Sequence, residues 1–409
     1  MEALDTSMRN EAASNQPVVK TTAYRWLVLA FAWGALLLTF VDRLAWGNLA
    51  VPVGHALGMS LGALGIFVTA FYVGYVVSNV AGGIGTDLLG PRRTLALSLV
   101  PLGIGCLFFG HVSSLLAGIV VQILMGLAAG CDYSACVKLT TTWFDVKARG
   151  RAIGLLMTAT SLAVVLTNAI VPKLLQAQSW TRVYEQLGLV TALFGLCCFF
   201  VVRDGPLLKK ASVGKLDLRS LVRNRDLLLL AFAGFGSMWG TWGFAFWANA
   251  LMMKGYGLSG VTAGTITVLF GIGAIVSKPL IGLVSDWLGG RCKLLVMICL
   301  FGFAASLLTF GRLHTVEQFR LIAPLLGVFA FAYSPLLAVM VAQAAGPSLA
   351  GSATGGTNAF WQLGSVVVPL AVGAVFASTH SFFVAFLALS AGPASAFLCM
   401  IPIHDTNRR

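Results

Sequence analysis

Five ionisable residues stand inside otherwise apolar runs of this 409-residue chain: Asp42 and Arg43, Asp132 and Lys138, and Lys278. A charged side chain within a bilayer costs about 2.5–3.5 kcal/mol even on insertion scales, so each needs a partner, a water-filled cavity or a use. Arg43 makes the strongest case. A guanidinium does not shed its charge, and its planar fork matches a carboxylate or phosphate through two parallel hydrogen bonds. Lys278 lies about eight residues before Asp286, roughly 12 Å up a helix at 1.5 Å per residue. That depth is too great for comfortable snorkelling. One fixed cation in each half of the chain suits a cavity that holds an anion from both sides, and a small carboxylate fits best. Lysine would contribute a single-point contact where arginine contributes a fork.

Asp42 sits about 100° around a helix from Arg43, so the two side chains do not naturally face each other. A carboxyl enclosed in a low-dielectric site can carry a proton, which makes Asp42 and Asp132 the proton-coupling candidates; for each, pairing with another helix is the alternative. Asp132 is close to Gly126 and Gly130, whose small surfaces let a helix or a ligand come near. Lys138 is near enough to the cytoplasmic end to snorkel. Polar companions at span depth are Tyr72, Tyr75, Asn168, Asn249, Asn358 and Gln362. Any of them can donate to an anion or bond between helices. Trp239, Trp242 and Phe246 recur at helical spacing in the seventh apolar run, where Trp242 can stack on a ring or pack at the interface.

These side chains must be positioned by membrane-spanning elements. The chain is 58% hydrophobic and 10% charged with a mean hydropathy of +0.89, too apolar for a soluble domain of its length. Apolar runs of about 20 residues select helices over the short alternating strands of a barrel. Twelve spans are predicted, near 24–53, 62–84, 94–111, 114–143, 150–174, 186–203, 227–253, 261–284, 293–311, 319–344, 351–377 and 381–402. With the amino terminus cytoplasmic, about 19 of the 27 Lys and Arg fall on the cytoplasmic side, 5 on the other and 3 inside spans, which places both termini inside. The expected organisation is a disordered cytoplasmic tail (1–22) without a secretory signal, a six-helix bundle (23–203), a basic linker (204–226), a second six-helix bundle (227–403) and a short tail (404–409). The +13 net charge is thereby topological rather than a nucleic-acid footprint.

A repeat supports the two halves. Gly83-x-x-x-Asp87-x-x-Gly90-x-Arg92-Arg93 follows the second span, and Gly282-x-x-x-Asp286-x-x-Gly289-Gly290-Arg291-x-Lys293 follows the eighth. Glycines permit a tight turn, the carboxylate can cap a helix start, and the basic residues hold the cytoplasmic face. This duplicated loop resembles the signature of the major facilitator superfamily, along nearly the whole chain. The resemblance implies an all-α membrane fold of twelve helices in two pseudo-symmetric bundles that rock around a central cavity. It also implies a conformational lock in which Asp87 pairs with Arg149 or Arg151, with Arg92, Arg93, Asp286 and Arg291 in the same gating set. Phe40-Val-Asp42-Arg43 and Ala50-x-Pro52 look like the first helix of the organic-anion branches, the anion:cation symporters and organophosphate:phosphate antiporters. Lys278-Pro279 resembles the arginine-proline of the monocarboxylate and oxalate carriers. The sequence departs from the symporter branch in Ala45, and in Gln122 and Ala129, where that branch carries an asparagine and an arginine–glutamate pair respectively.

The five histidines fall in loops, span ends or tails, and the eight cysteines lack metal-ligand spacing, so no metal site is expected. Neither a phosphate-cradling glycine loop nor a nucleophile–base pair is present, against a pump or an enzyme. The expectation is a monomeric inner-membrane secondary transporter, a proton-coupled symporter of a small mono- or dicarboxylate. It would use no cofactor beyond the proton gradient. Efflux of amphipathic compounds and organophosphate:phosphate antiport are the alternatives.

Overall fold

The computed structural model describes residues 23–60, 63–144, 146–205, 224–288, 291–345 and 350–403. Much of the expected linker and both expected tails lie outside these residues. The described chain forms thirteen helices: α1 (Tyr24–Leu57), α2 (Gly65–Leu89), α3 (Pro91–Phe109), α4 (Leu115–Ala129), α5 (Asp132–Trp143), α6 (Val146–Ala177), α7 (Trp180–Val201), α8 (Arg225–Tyr256), α9 (Gly260–Trp287), α10 (Cys292–Phe310), α11 (Val316–Ala345), α12 (Ala350–Thr379) and α13 (Phe382–Met400). Among the described residues eleven segments are long and apolar enough to cross a membrane, with α4 and α5 counted as one, and the apolar start of α2 supplies a twelfth. Helices are the only open-chain solution there, because each satisfies its own backbone groups in lipid.

The ends of these helices follow from local chemistry. Ser114, Ser179 and Ser381 accept from backbone N–H groups in the first turns of α4, α7 and α13, and Asn224 does the same for α8. α1 and α8 both stop at a left-handed glycine, Gly58 at φ 63° and Gly257 at φ 65°, a conformation glycine adopts without a Cβ penalty. The fourth span, read from sequence as one helix over 114–143, is instead interrupted at Gly130 and Cys131. There Gly130 presses on the backbone of α2 beside the Tyr75 carbonyl, where a Cβ would not fit.

α1–α7 pack as one bundle and α8–α13 as the other, and the two meet along α1 with α8, α2 with α12, and α6 with α9. The repeat is visible in the packing. Gly126 of α4 lies against the Phe71 carbonyl of α2, and Gly327 of α11 lies against the Phe270 carbonyl of α9 in the same way. Each bundle is filled by aromatic rings, Trp46, Phe67 and Phe109 in mutual edge contact in the first, and Phe244 edge-on to the stacked pair Phe310 and Phe386 in the second. The core therefore sits inside each bundle, and the seam between them is left for a cavity.

Candidate functional site

A chamber of about 1490 Å³ lies on that seam. Its walls come from the parts of α2, α5, α6, α9, α11 and α12 nearest the end at which α1 begins, so it faces that side of the molecule. Arg43, Tyr75, Trp242, Lys278, Asn358 and Gln362 all line it. Asn79, Thr160, Ser161 and Ser334 add polar groups that the sequence did not single out. Lys138 lines it too, with Nζ 3.5 Å from the Thr86 carbonyl.

Arg43 is 5% exposed and reaches the chamber from α1. Its guanidinium carbon is 3.9 Å from the Phe40 ring centre and 4.5 Å from that of Trp242, with Tyr75 at 5.3 Å and Tyr72 at 5.4 Å. Aromatic faces attract a cation without neutralising it. Among the described residues no carboxylate forms an ion pair with Arg43, and its buried Nε has no hydrogen-bond partner. The Tyr75 side chain lies beside both Arg43 and Asn79. Across the seam Lys278 of α9 donates from Nζ to Thr160 Oγ of α6 at 3.1 Å and lies 5.5 Å from the Phe331 ring centre. It too has no described carboxylate partner. A permanently charged guanidinium and a lysine from opposite bundles thus face one aqueous space, which is the electrostatic requirement for holding an anion there.

The two acids stand behind this wall. Asp42 is 3% exposed and faces Thr191 and Cys106, away from the chamber. It lines a second, small cavity together with Arg43, Tyr72 and Gln122. Asp132 is 1% exposed at the start of α5, where Cys136 Sγ donates to its Oδ1 at 3.3 Å and Thr39 lies alongside. It interacts electrostatically with Arg43. Neither residue lines the chamber.

Three of the companions singled out by sequence, Tyr72, Asn168 and Asn249, lie elsewhere. Tyr72 is fully buried and turns to the small cavity rather than the chamber. Asn249 belongs to the closed end of the seam. Its Nδ2 donates to Asn48 Oδ1 at 2.7 Å and to Asn168 Oδ1 at 2.6 Å, Asn48 Nδ2 donates to Asn168 Oδ1 at 3.1 Å, and Thr267 Oγ donates to Asn249 Oδ1. This buried network joins α1 and α6 to α8 and α9, one pair from each bundle. Asn48 and Asn249 are 201 positions apart, the offset of the matching pair Gly126 and Gly327 and within two of the loop repeat, so equivalent residues meet across the pseudo-symmetry axis. That spacing was the signal by which Asn48 could have been found. Thr69 Oγ donating to the Val366 carbonyl at 2.8 Å, and Lys254 Nζ meeting His55 Nε2 at 3.3 Å, continue the closure outward. Trp239 turns from the seam to bond the Ala388 carbonyl of α13, whereas Trp242 and Phe246 stack at 5.9 Å.

Of the expected gating set, the side chains of Asp87, Arg149 and Asp286 lie outside the described residues. Arg93, Arg151 and Arg291 are exposed. Arg92 staples α3 to the end of α7, its backbone N–H donating to Asp204 Oδ1 at 2.9 Å and its Nε to the Phe199 carbonyl at 2.7 Å. Lys293 does the same in the second bundle, reaching the Ile401 and Ile403 carbonyls beyond α13.

Eleven long apolar helices and a shorter twelfth among the described residues, in two repeats around a charged central chamber, define a multi-pass membrane transporter. The chain belongs to the Major Facilitator Superfamily, whose model matches residues 31–369 and 230–408. It is therefore a transporter and not an enzyme. It is 24% identical to the hexuronate transporter of Bacillus subtilis (strain 168), over 88% of this chain and 90% of that protein. It is 22% identical to the probable galactarate/D-glucarate transporter of the same organism, over 96% and 94%. A solved D-xylose-proton symporter shares the fold, with a TM-score of 0.76 at 15% identity over 94% of this chain and 99% of that one. Both relatives are named for organic anions, the branches that the Phe40–Arg43 segment resembles.

Proposed function

We propose that this chain is a proton-coupled symporter of a small hydroxylated carboxylate, of the sugar-acid kind for which its relatives are named, acting by alternating access between the two bundles. The observation that carries this reading is the placement of Arg43 and Lys278 on opposite walls of one chamber, both without a described acidic partner. A substrate carboxylate takes the Arg43 fork, which no described carboxylate occupies in an ion pair, with the Tyr75 side chain alongside. Lys278 meets a second carboxylate or a hydroxyl from the other bundle. Tyr75, Asn79, Asn358 and Gln362 supply the hydrogen bonds a polyol chain needs, which an apolar drug pocket would not. Asp42 and Asp132 take up and release the proton. The chamber faces the side at which α1 begins, and the excess of Lys and Arg on that side favours the cytoplasm; the asparagine network then closes the outer side.

The test is uptake of labelled hexuronate, aldarate and inorganic phosphate into proteoliposomes with an imposed pH gradient. Accumulation of a sugar acid driven by an acidic exterior, and lost in Arg43→Ala, is the expected result. Phosphate exchange without sugar-acid uptake would overturn it, as would accumulation indifferent to Arg43.

A further inference from the structure

We propose that the small cavity beside Asp42 is a binding site for a single water molecule that hands the coupling proton to and from Asp42. This deepens the proton-coupled reading above and rests on it. The cavity measures about 20 Å³, and a water needs about 10–15 Å³ on this measure and two to four polar partners. The partners are at hand. Asp42, Arg43, Tyr72 and Gln122 all line the cavity. Both Asp42 carboxyl oxygens, Arg43 Nε and the Tyr72 hydroxyl are fully buried and make no well-formed hydrogen bond among the described residues, with Thr191 and Cys106 near Asp42 and Ser365 near Tyr72. Buried polar atoms are costly unless bonded, and four of them around the volume of one water are bonded most simply by that water. It would donate to the Asp42 carboxylate and accept from Arg43 Nε–H or the Tyr72 hydroxyl, with the Gln122 amide as a further partner.

The groups facing Asp42 define what else could serve. Cys106 of α3, Thr191 and Tyr184 of α7, Tyr72 of α2 and Gln122 of α4 surround it, with Arg43 beside it on α1. None of these is a carboxylate or an imidazole, so no neighbouring side chain is a natural proton donor near neutral pH. In the transfer, the water gains a proton on its oxygen from the chamber side as one of its own O–H bonds breaks and a new O–H forms on Asp42. One proton moves and the water is regenerated. Arg43 lines both cavities and so forms the partition between them. A bare guanidinium repels an excess proton on that water, whereas one holding a substrate carboxylate does not. The proton thus follows the anion, which makes the two movements obligatory partners.

The experiment compares the full-length protein with Val68→Ile, which fills the cavity from its apolar wall, and Gln122→Leu, which keeps volume and removes a polar partner. In proteoliposomes the ratio of proton-driven accumulation to substrate–substrate exchange is measured with a labelled hexuronate. In parallel, a structure at a resolution that shows ordered waters is determined for the unsubstituted protein. The expected results are a water within hydrogen-bond reach of Asp42 and Gln122, and a ratio at least fivefold lower in both variants. Absence of that water, or an unchanged ratio in Val68→Ile, overturns the site. Unsubstituted protein that ignores the pH gradient overturns the coupling reading instead, and the proton role of this water with it.

Discussion

The guanidinium carbon of Arg43 lies 4.5 Å from the ring centre of Trp242, so a cation of the first bundle rests on an aromatic face of the second. The Trp242 indole N–H meanwhile donates to the Met238 thioether at 3.1 Å, a weak acceptor that a carboxylate oxygen readily replaces. One carboxylate can therefore bridge guanidinium and indole. Trp242→Phe keeps the ring and removes the donor, and should raise KM roughly tenfold, about one net hydrogen bond to a charged group. Trp242→Ala should lower kcat as well. Equal KM values for Trp242→Phe and the unsubstituted protein would show that the N–H is not used.

Arg43→Lys keeps the charge and loses the fork. The loss of about 1.5–3 kcal/mol of charged hydrogen bonding corresponds to an affinity decrease of roughly 10- to 150-fold, read by substrate-dependent thermal shift in detergent. Lys278→Arg should be milder than Lys278→Ala, because the contact on that side is a single point.

Asp42→Asn retains the shape of the side chain and cannot exchange a proton. Uptake driven by an acidic exterior should fall at least tenfold and lose its dependence on the gradient, with substrate–substrate exchange falling far less. Uptake that still rises with the gradient would move the coupling role to Asp132, to be checked with Asp132→Asn.

Asn249→Ala removes the shared donor of the closed end and strands the Asn48 oxygen, while Asn168 keeps only the bond from Asn48 Nδ2. Leaving such groups unpaired costs about 1–3 kcal/mol. The equilibrium should shift toward opening on the His55–Lys254 side by roughly 5- to 150-fold. Distances between spin labels at positions 55 and 254, in a background stripped of other cysteines, measure the shift directly. An unaltered distance distribution would show that Thr69 and the apolar contacts hold the closure without the asparagine network.

Gly126→Ala and Gly327→Ala place a methyl against the carbonyls of Phe71 and Phe270. Overpacking of this kind costs about 1–3 kcal/mol, and both variants should melt earlier by similar amounts because the two sites are equivalent. Thermal unfolding of the purified proteins decides it.

Much of the architecture was legible because lipid leaves few choices. Long apolar runs could only be helices, and glycine-rich loops repeated at half-length marked the two bundles. The site was partly legible. Arg43 and Lys278 stand out by the cost of their charge, and that criterion does not depend on knowing which way a helix is turned. Where a helix is apolar on every side, no periodicity reveals which face meets the seam. Tyr72 and Tyr75 accordingly looked alike in sequence, yet one faces the small cavity and the other the chamber. Asn79 and Thr160 passed unnoticed for the same reason. Asn249 was selected for its polarity, and only the repeat offset to Asn48 explains where it goes. The break at Gly130 is set by the neighbouring backbone of α2, a tertiary contact invisible along the chain.

Glycine laid directly on a neighbouring main chain, at Gly126 and again at Gly327, removes the slack that two helices need to slide past one another. Each half of the molecule is consequently stiff, and displacement during turnover has to be absorbed where the halves abut. A covalent tether across that junction should arrest transport outright, while an equally short tether inside either half should go unfelt.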